Sequence, residues 1–274
     1  MRKVAMLFAV AILMSACSAT GALPAGRSTW TKSWNISGAG ASVRVETEYG
    51  TIRVTEGAAD SVAATVTTRR WQIAPGQVEI TSTQNGNEVE LQIETPKYRR
   101  GWFHWHSGPA PRVHIALQVP ASSKLDLHTG FGDIVGENLQ ADARVNTGFG
   151  KIDFPGFSGE LVGNTGFGDV SADGRFDRLQ LKTGFGNIRA AVDSGSKMSE
   201  DWRLSSGFGS LHVRVPLDLN ADLRAHSGFG HVSTDLPLTV SGISGHSSVR
   251  GKLGSGGFPL ELSTGFGSVH IGRT

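Results

Sequence analysis

Apolar and polar residues alternate along most of this chain, and the alternation predicts β-strands. Side chains two residues apart lie on the same face of a strand, so each run has one apolar face and one polar face. No helix is predicted after residue 17. The alternating runs in the first half are 43–47, 51–54, 61–67, 78–81, 88–94 and 113–119.

A short phrase recurs through the second half of the chain. Its first full copy, residues 129–134, reads Thr-Gly-Phe-Gly-Asp-Ile, and successive aromatic residues lie 18, 18, 18, 23, 21 and 37 residues apart. A degenerate copy of the phrase, with His246 in the aromatic position, divides the last gap. An earlier copy has Tyr49 in the aromatic position. The nine residues of this position are Tyr49, Phe131, Phe149, Phe167, Phe185, Phe208, Phe229, His246 and Phe266.

This repetition predicts an all-β fold, a single-stranded parallel β-solenoid with coils of 18–23 residues. Each unit is interpreted as a strand, a glycine corner, a second strand and a loose return. Stacked at ~4.8 Å per step, the units would place the nine aromatic-position residues in one internal structural ladder. The N-terminal strands are expected to continue or cap the solenoid. A meander of hairpins with Gly-Phe-Gly at each turn is the alternative.

Two further columns of the repeat support a corner at Gly-Phe-Gly. A Thr or Ser always stands two residues before the aromatic position, and an aliphatic residue always stands three after it. These positions have opposite parity, so the buried register must slip between them, which glycine permits. The hydroxyl column is expected to point inward and to form internal hydrogen bonds, not an exposed array of the ice-binding kind.

Residues 1–17 have the form of a lipoprotein-type signal peptide. Two basic residues precede an apolar run, 4–14, that is too short to span a bilayer as a permanent helix. The Met-Ser-Ala-Cys ending resembles a lipobox, in which Cys17 becomes the lipidated first residue of the mature chain. The lipid would anchor the protein in the cell envelope, at the outer membrane if the cell has one, since Ser18 is not an aspartate. Ordinary secretion with cleavage after a nearby alanine is the alternative.

Composition divides the rest of the chain and limits its partners. A flexible tether, 18–28, leads to an N-terminal β region, 29–120, and then to the Gly-Phe-Gly repeat region, 121–274. The chain has 26 basic and 24 acidic residues, and removing the two basic residues of the signal leaves 24 of each. A balanced charge gives no electrostatic reason to bind nucleic acid. The single cysteine excludes a disulfide framework.

An aromatic and basic loop interrupts the strands of the N-terminal region and is the candidate recognition loop. Such a patch could stack on sugar rings, dock a protein partner or enter a membrane interface. The alternative is a loop that folds over and plugs the solenoid end with its aromatic residues buried. Its residues are Tyr98, Arg99, Arg100, Trp102, Phe103, His104, Trp105 and His106.

No catalytic or cofactor motif is present, and the protein is predicted not to be an enzyme. The position two after the aromatic holds Lys151 and His231 as well as acidic residues, which argues against a calcium ladder. The histidines lack the cysteine or acidic partners that a zinc site needs, so no metal and no cofactor are expected. Acidic residues are scattered, although glycoside hydrolysis by a chance pair of carboxylates stays open as a less favoured alternative.

The coils of Leu-x-Leu-x-Thr-Gly-Phe-Gly-Asp-Ile type, with the Val119-Pro120 step before them, resemble the bacterial putative-adhesin family, a domain of unknown function. The resemblance covers residues 43–271. It implies a right-handed, β-helix-like solenoid in the cell envelope. Members are often encoded beside envelope-stress regulators, which implies a sensing or scaffolding role as an alternative. The chain departs from commoner members in its insistent Phe between two glycines and in its Trp-rich loop.

These observations together predict a non-enzymatic, lipid-anchored β-solenoid of the cell envelope. Its expected partners are the membrane, through the anchor, and a polysaccharide, peptidoglycan or an envelope protein. The first alternative is an accessory or scaffold protein of the envelope-stress response that acts through a membrane regulator. A polysaccharide-active enzyme is the second.

Overall fold

The structure is a computed structural model that describes residues 27–38, 40–69, 71–96, 112–237, 239–240 and 246–274. The described residues form 21 β-strands that hydrogen bond into one sheet. The strands of the first half are β1 (Arg27–Asn35), β2 (Ser42–Tyr49), β3 (Thr51–Glu56), β4 (Ser61–Arg69), β5 (Glu79–Asn85), β6 (Glu88–Glu94), β7 (Arg112–Val119), β8 (Ser123–Phe131), β9 (Ile134–Glu137) and β10 (Ala141–Phe149). Those of the second half are β11 (Ile152–Phe167), β12 (Val170–Phe185), β13 (Ile188–Val192), β14 (Trp202–Phe208), β15 (Leu211–Val215), β16 (Ala221–Phe229), β17 (Val232–Thr234), β18 (Thr239–Val240), β19 (Ser248–Leu253), β20 (Pro259–Phe266) and β21 (Val269–Arg273).

The sheet has two arms that meet at the glycine corners. The first arm contains the strands that end at an aromatic residue, with β5 and β6 at one edge and β19 and β18 at the other. Its order is β5-β6-β2-β8-β10-β11-β12-β14-β20-β16-β19-β18. The second arm contains the strands that follow a corner, with β1, β4 and β7 at one edge. Its order is β1-β4-β7-β3-β9-β11-β12-β13-β15-β21-β17. The long strands β11 and β12 belong to both arms, so the sheet is nearly closed and barrel-like around one core.

The predicted single-stranded parallel β-solenoid is wrong, because the sheet is mixed. Antiparallel pairs stand beside the parallel ones: β1 with β4, β4 with β7, β5 with β6, and β19 with both β16 and β18. Nor does the strand order follow the repeat order, since β20 lies between β14 and β16. Alternating apolar residues bury one face of a strand in either direction, so the pattern carries no information on strand polarity.

The predicted loose returns are also replaced in part by continuous strand. Both β11 and β12 run for 16 residues from one corner to the next. Bends are accommodated by glycine, with φ of +67° at Gly156 and +138° at Gly174, and by register shifts in the pairing of the two strands. Glycine residues that suggested open loops therefore serve as bends within strands.

The core consists of aliphatic side chains from both arms and a cluster of buried aromatic rings. Phe154 contacts Phe157 edge to face at 5.6 Å between ring centroids, Phe157 lies 6.0 Å from Phe176, and Phe176 contacts Trp202 edge to face at 6.3 Å. All four residues are fully buried. Gly136 makes room for this cluster, because a Cβ there would overlap the ring of Phe154. These rings come from β11, β12 and β14 and belong to the same continuous core as the aliphatic side chains.

Replacing Gly209 by alanine is expected to lower the free energy of unfolding by at least about 2 kcal/mol. Gly209 has φ of +148°, and a Cβ there would overlap the carbonyl oxygen of Gly186 on the next strand. Gly195 is the matched control, because its φ is +85° but nothing lies within 4 Å of its added Cβ. Gly195→Ala should therefore cost only backbone strain, roughly 1 kcal/mol. Urea unfolding measures both, and equal losses would contradict a steric requirement at the corner.

Candidate functional site

The aromatic residues of the corners form one continuous row on the surface, here called the aromatic ridge. Adjacent ring centroids are 4.6–4.9 Å apart, and adjacent ring planes are within 8° of parallel. Seven such steps make the ridge roughly 33 Å long, as the spacing of β-strands dictates. In spatial order the ridge consists of Tyr49, Phe131, Phe149, Phe167, Phe185, Phe208, Phe266 and Phe229.

The prediction that this ladder is internal is wrong, because the ridge is exposed. Six of its phenylalanines are 44–49% exposed, Phe229 at the end is 70% exposed, and Tyr49 is half-buried. The prediction assumed that the alternation of the strand continues through the aromatic residue, which would place its ring on the buried face. The backbone instead turns there, with φ of +148° at Gly132 and +154° at Gly186, and the turn directs the ring outward.

His246 does not belong to the ridge, which corrects its placement in the ladder. The strand that follows it, β19, pairs antiparallel with β16, with Val249 opposite Ala225. The place beyond Phe266 in the row is taken by Phe229. The degenerate copy of the repeat therefore keeps the apolar alternation, but its strand runs in the opposite direction. His246 is exposed near the end of the sheet.

Each corner of the ridge except the last, at Gly230, is held by hydrogen bonds to both the N–H and the carbonyl oxygen of its glycine. The N–H of Gly150 donates to the carbonyl oxygen of Phe167 at 2.9 Å, and the carbonyl oxygen of Gly150 accepts from the hydroxyl of Thr165 at 3.0 Å. Equivalent hydroxyl bonds of 2.7–3.0 Å recur in six other units. The hydroxyl column is buried, so it is not an exposed array. Its donors are Thr129, Thr147, Thr165, Thr183, Ser206, Ser227 and Thr264.

The polar column beside the ridge also has a structural role. Asp133 accepts the backbone N–H of Lys151 at 2.8 Å, and Asp169 accepts that of Asn187 at 2.8 Å. The side-chain oxygen of Asn187 in turn accepts the N–H of Ser210 at 2.9 Å. These oxygens stabilise the next strand in the stack. Among the described residues, no three His, Cys, Asp or Glu side chains are grouped to hold a metal ion.

The stacking determines which part of each ring faces solvent. Six rings of the ridge have another ring against each face, so their exposed surface consists mainly of ring edges. Only the terminal residues, Tyr49 and Phe229, have a face without a ridge neighbour. Ring edges carry partial positive charge and pack against the faces of other aromatic rings or against aliphatic groups. A sugar ring, by contrast, packs on an aromatic face.

A second surface feature is an open groove of about 650 Å³ on the outer face of β12, β13, β15 and β21. His212 and His270 lie side by side in it, and the Nδ1 of His270 is 3.0 Å from the hydroxyl of Ser233. Its charges are of both signs, because His270 lies 3.5 Å from Asp235 and arginines line the same groove. The groove has no field of one sign that would select an ionic ligand.

Two of the predicted sites lie outside the described residues: Cys17, and the recognition loop Tyr98, Arg99, Arg100, Trp102, Phe103, His104, Trp105 and His106. Their roles stay predictions. Within the described ranges, the structure contains no helix with the length and apolarity that a membrane crossing requires.

No protein-family model matches the chain, and no curated protein matches it. Solved structures with a similar course of the chain include one described as a putative cell adhesion protein from Clostridium sporogenes. It is 12% identical, with a TM-score of 0.40, over 90% of this chain and 100% of the other. A putative adhesin from Bacteroides fragilis is 11% identical, with a TM-score of 0.38, over 89% and 96%. A putative lipid binding protein from Parabacteroides distasonis is 9% identical, with a TM-score of 0.29, over 90% and 97%. At these values the likenesses carry no argument about this chain.

The exposure of the ridge changes the expected cost of removing one of its rings. Phe167→Ala should lower the free energy of unfolding by about 1–3 kcal/mol, because half of the ring is exposed and each of its two stacked pairs contributes 0.5–1.5 kcal/mol. Phe176→Ala, in the buried cluster, should cost about 3–5 kcal/mol. Urea unfolding of both variants measures the contrast. A loss at Phe167 as large as that at Phe176 would mean that the ridge is core.

Proposed function

We propose that this protein is a non-enzymatic binding protein of the cell envelope and that the aromatic ridge is its binding surface. The observation that carries the proposal is the exposure of a row of eight aromatic rings. Large aromatic side chains grouped on a surface mark sites of contact, whereas single exposed apolar residues do not. The proposed location in the envelope rests on the lipoprotein-type signal peptide, residues 1–17, with Cys17 as the lipidated residue.

The ridge is suited to binding because it is rigid before a partner arrives. Each of the six inner rings is held by two neighbours, and their corners by a hydroxyl and a backbone hydrogen bond, as at Thr165 and Gly150. Association therefore orders few side chains, which lowers its entropic cost. Aromatic residues also dominate the binding energy of protein interfaces. The ridge offers no nucleophile or general acid apart from the Tyr49 hydroxyl, so its chemistry is that of contact.

The exposed ring edges favour a protein partner over a polysaccharide. Edges pack well against aromatic faces and aliphatic side chains, which a protein surface supplies. The ring faces that would accept sugars are covered by neighbouring rings along the ridge. We therefore assign the recognition of an apolar protein surface to the ridge, and the polymer partners become outcomes of the test.

The test is co-sedimentation of residues 18–274 with isolated envelopes of the cells that produce the protein. The ridge variant combines Phe149→Thr, Phe167→Thr and Phe185→Thr, since threonine suits a strand and replaces the ring by a small side chain. Binding by the unaltered chain should be saturable, and binding by the ridge variant at least about tenfold weaker. The matched control is Phe258→Thr, because Phe258 is 48% exposed but lies at the opposite end of β20 from the ridge.

Three further samples separate the ridge from the other candidates. A loop variant with Trp102→Ala, Phe103→Ala and Trp105→Ala should bind as the unaltered chain does. Purified peptidoglycan and a polysaccharide panel should not sediment the chain. Binding lost in the loop variant but kept in the ridge variant would contradict the assignment to the ridge. An unaltered chain that binds no envelope would contradict the proposed function.

A further inference from the structure

We infer that the partner of the ridge is a second copy of this chain, with the two aromatic ridges packed against each other along their length. This inference rests on the proposed function, because it names the partner for the same surface. Four properties of the described residues support it: the spacing of the rings, their exposed area, the shape of the ridge flanks and the charges beside them.

The spacing of the rings selects a partner with the same period. Ridge rings repeat every 4.6–4.9 Å, so a partner makes the same contact at every ring only if its own groups repeat at that distance. An α-helix repeats every 5.4 Å along its axis and would be about 4 Å out of step after seven rings. A second copy matches the spacing at every step because it is built on the same stacked strands.

The exposed area of the ridge is close to what a stable dimer requires. Six phenylalanines expose 44–49% of their surface, and Phe229 exposes more. With about 200 Å² for each aromatic side chain, the ridge offers roughly 700 Å² per copy. Standard protein interfaces bury about 800 Å² per partner. The glycine backbone beside the rings would supply the remainder.

The flanks of the ridge leave room for the ridge of a partner. Each ring from Phe131 to Phe229 has a glycine before it and a glycine after it, so the row of rings lies between two rows of bare backbone. These glycines are half-buried or exposed. Two ridges that cross the same two-fold axis therefore meet directly, with apolar ring against apolar ring, because the bare backbone on both flanks has no side chain to hold them apart.

An antiparallel, two-fold arrangement brings no like charges together beside the ridge. With the two-fold axis perpendicular to the ridge and crossing it between the fourth and fifth rings, the polar column of one copy faces the same column of the other in reverse order. Asp169 then opposes Asn187, and Lys151 opposes Ser210. By the same count Asp133 opposes a serine, so electrostatic repulsion does not act against this arrangement.

Sedimentation equilibrium of purified residues 18–274, without any envelope material, tests the inference. The unaltered chain should form a dimer at micromolar concentration. The ridge variant, with Phe149→Thr, Phe167→Thr and Phe185→Thr, should dissociate at least about tenfold more readily, as loss of central aromatic contacts predicts. Phe258→Thr should dimerise as the unaltered chain does. A chain that stays monomeric up to about 1 mM, the Kd of a very weak complex, would overturn the inference.

Thiol crosslinking tests the arrangement without removing the centre of the ridge. Residues 18–274 contain no cysteine, so single cysteines can be introduced cleanly. Phe131 is the second ring of the ridge and Phe266 the seventh, so these two rings oppose each other in the antiparallel dimer. Opposed rings keep the two Cα atoms beyond the ~7 Å that a disulfide spans, so a short bismaleimide is used as the crosslinker. A mixture of Phe131→Cys and Phe266→Cys should form the mixed crosslinked dimer. Phe131→Cys alone should form none, and a crosslinked dimer from it would overturn the antiparallel arrangement.

The two proposals fail in distinguishable ways. If the purified chain is monomeric but binds envelopes through the ridge, the proposed function stands and the second copy is excluded as the partner. Ridge-dependent binding of a monomer to phosphatidylcholine vesicles would identify a lipid surface and would also overturn the inference. Loss of both self-association and envelope binding would remove the proposed function itself.

Discussion

The fold depends on one hydrogen-bonded glycine residue that recurs at every corner of the ridge except the last. The N–H of the glycine after the ring donates to the carbonyl of the next ring residue, as Gly150 does to Phe167, and a buried hydroxyl such as that of Thr165 donates to the glycine carbonyl. This arrangement fits only hydrogen in the place of a side chain, because a Cβ on these glycines would overlap the neighbouring strand. Close stacking at the corner then brings the rings into contact and directs them outward.

The local chemistry of the repeat could be predicted from the sequence, and its global arrangement could not. The inward hydroxyls, the buried aliphatic column and the change of parity at Gly-Phe-Gly follow from alternation and from the freedom of glycine, and the structure confirms them. The direction of β19 and the insertion of β20 between β14 and β16 depend on pairing across long stretches of chain. Alternation buries the same face of a strand in either direction, so the sequence pattern could not distinguish parallel from antiparallel pairing.

The burial of the aromatic column was predicted wrongly for a related reason. Aromatic residues are usually buried, and the parity of the preceding strand placed Phe167 and its equivalents inside. The signal for an exposed ring is the pair of glycines around it. A corner at these glycines interrupts the alternation, so the ring need not lie on the buried face of the strand. The aromatic residues that do fill the core, such as Phe176 and Trp202, have larger neighbours and lie within continuous strand. Among the residues that the structure describes, glycine on both sides thus marks a surface ring, whereas Phe157, with glycine on one side only, is buried.

Hydroxyl-radical labelling followed by mass spectrometry tests the central claim most directly, because it reports the solvent exposure of individual rings in solution. In dilute protein, Phe149, Phe167 and Phe185 should be labelled much faster than the buried Phe157 and Phe176. On concentration, the ridge should become protected while Phe258 stays reactive. Ridge rings that are as unreactive as Phe176 at every concentration would contradict an exposed binding surface, and ridge labelling that never changes with concentration would contradict self-association.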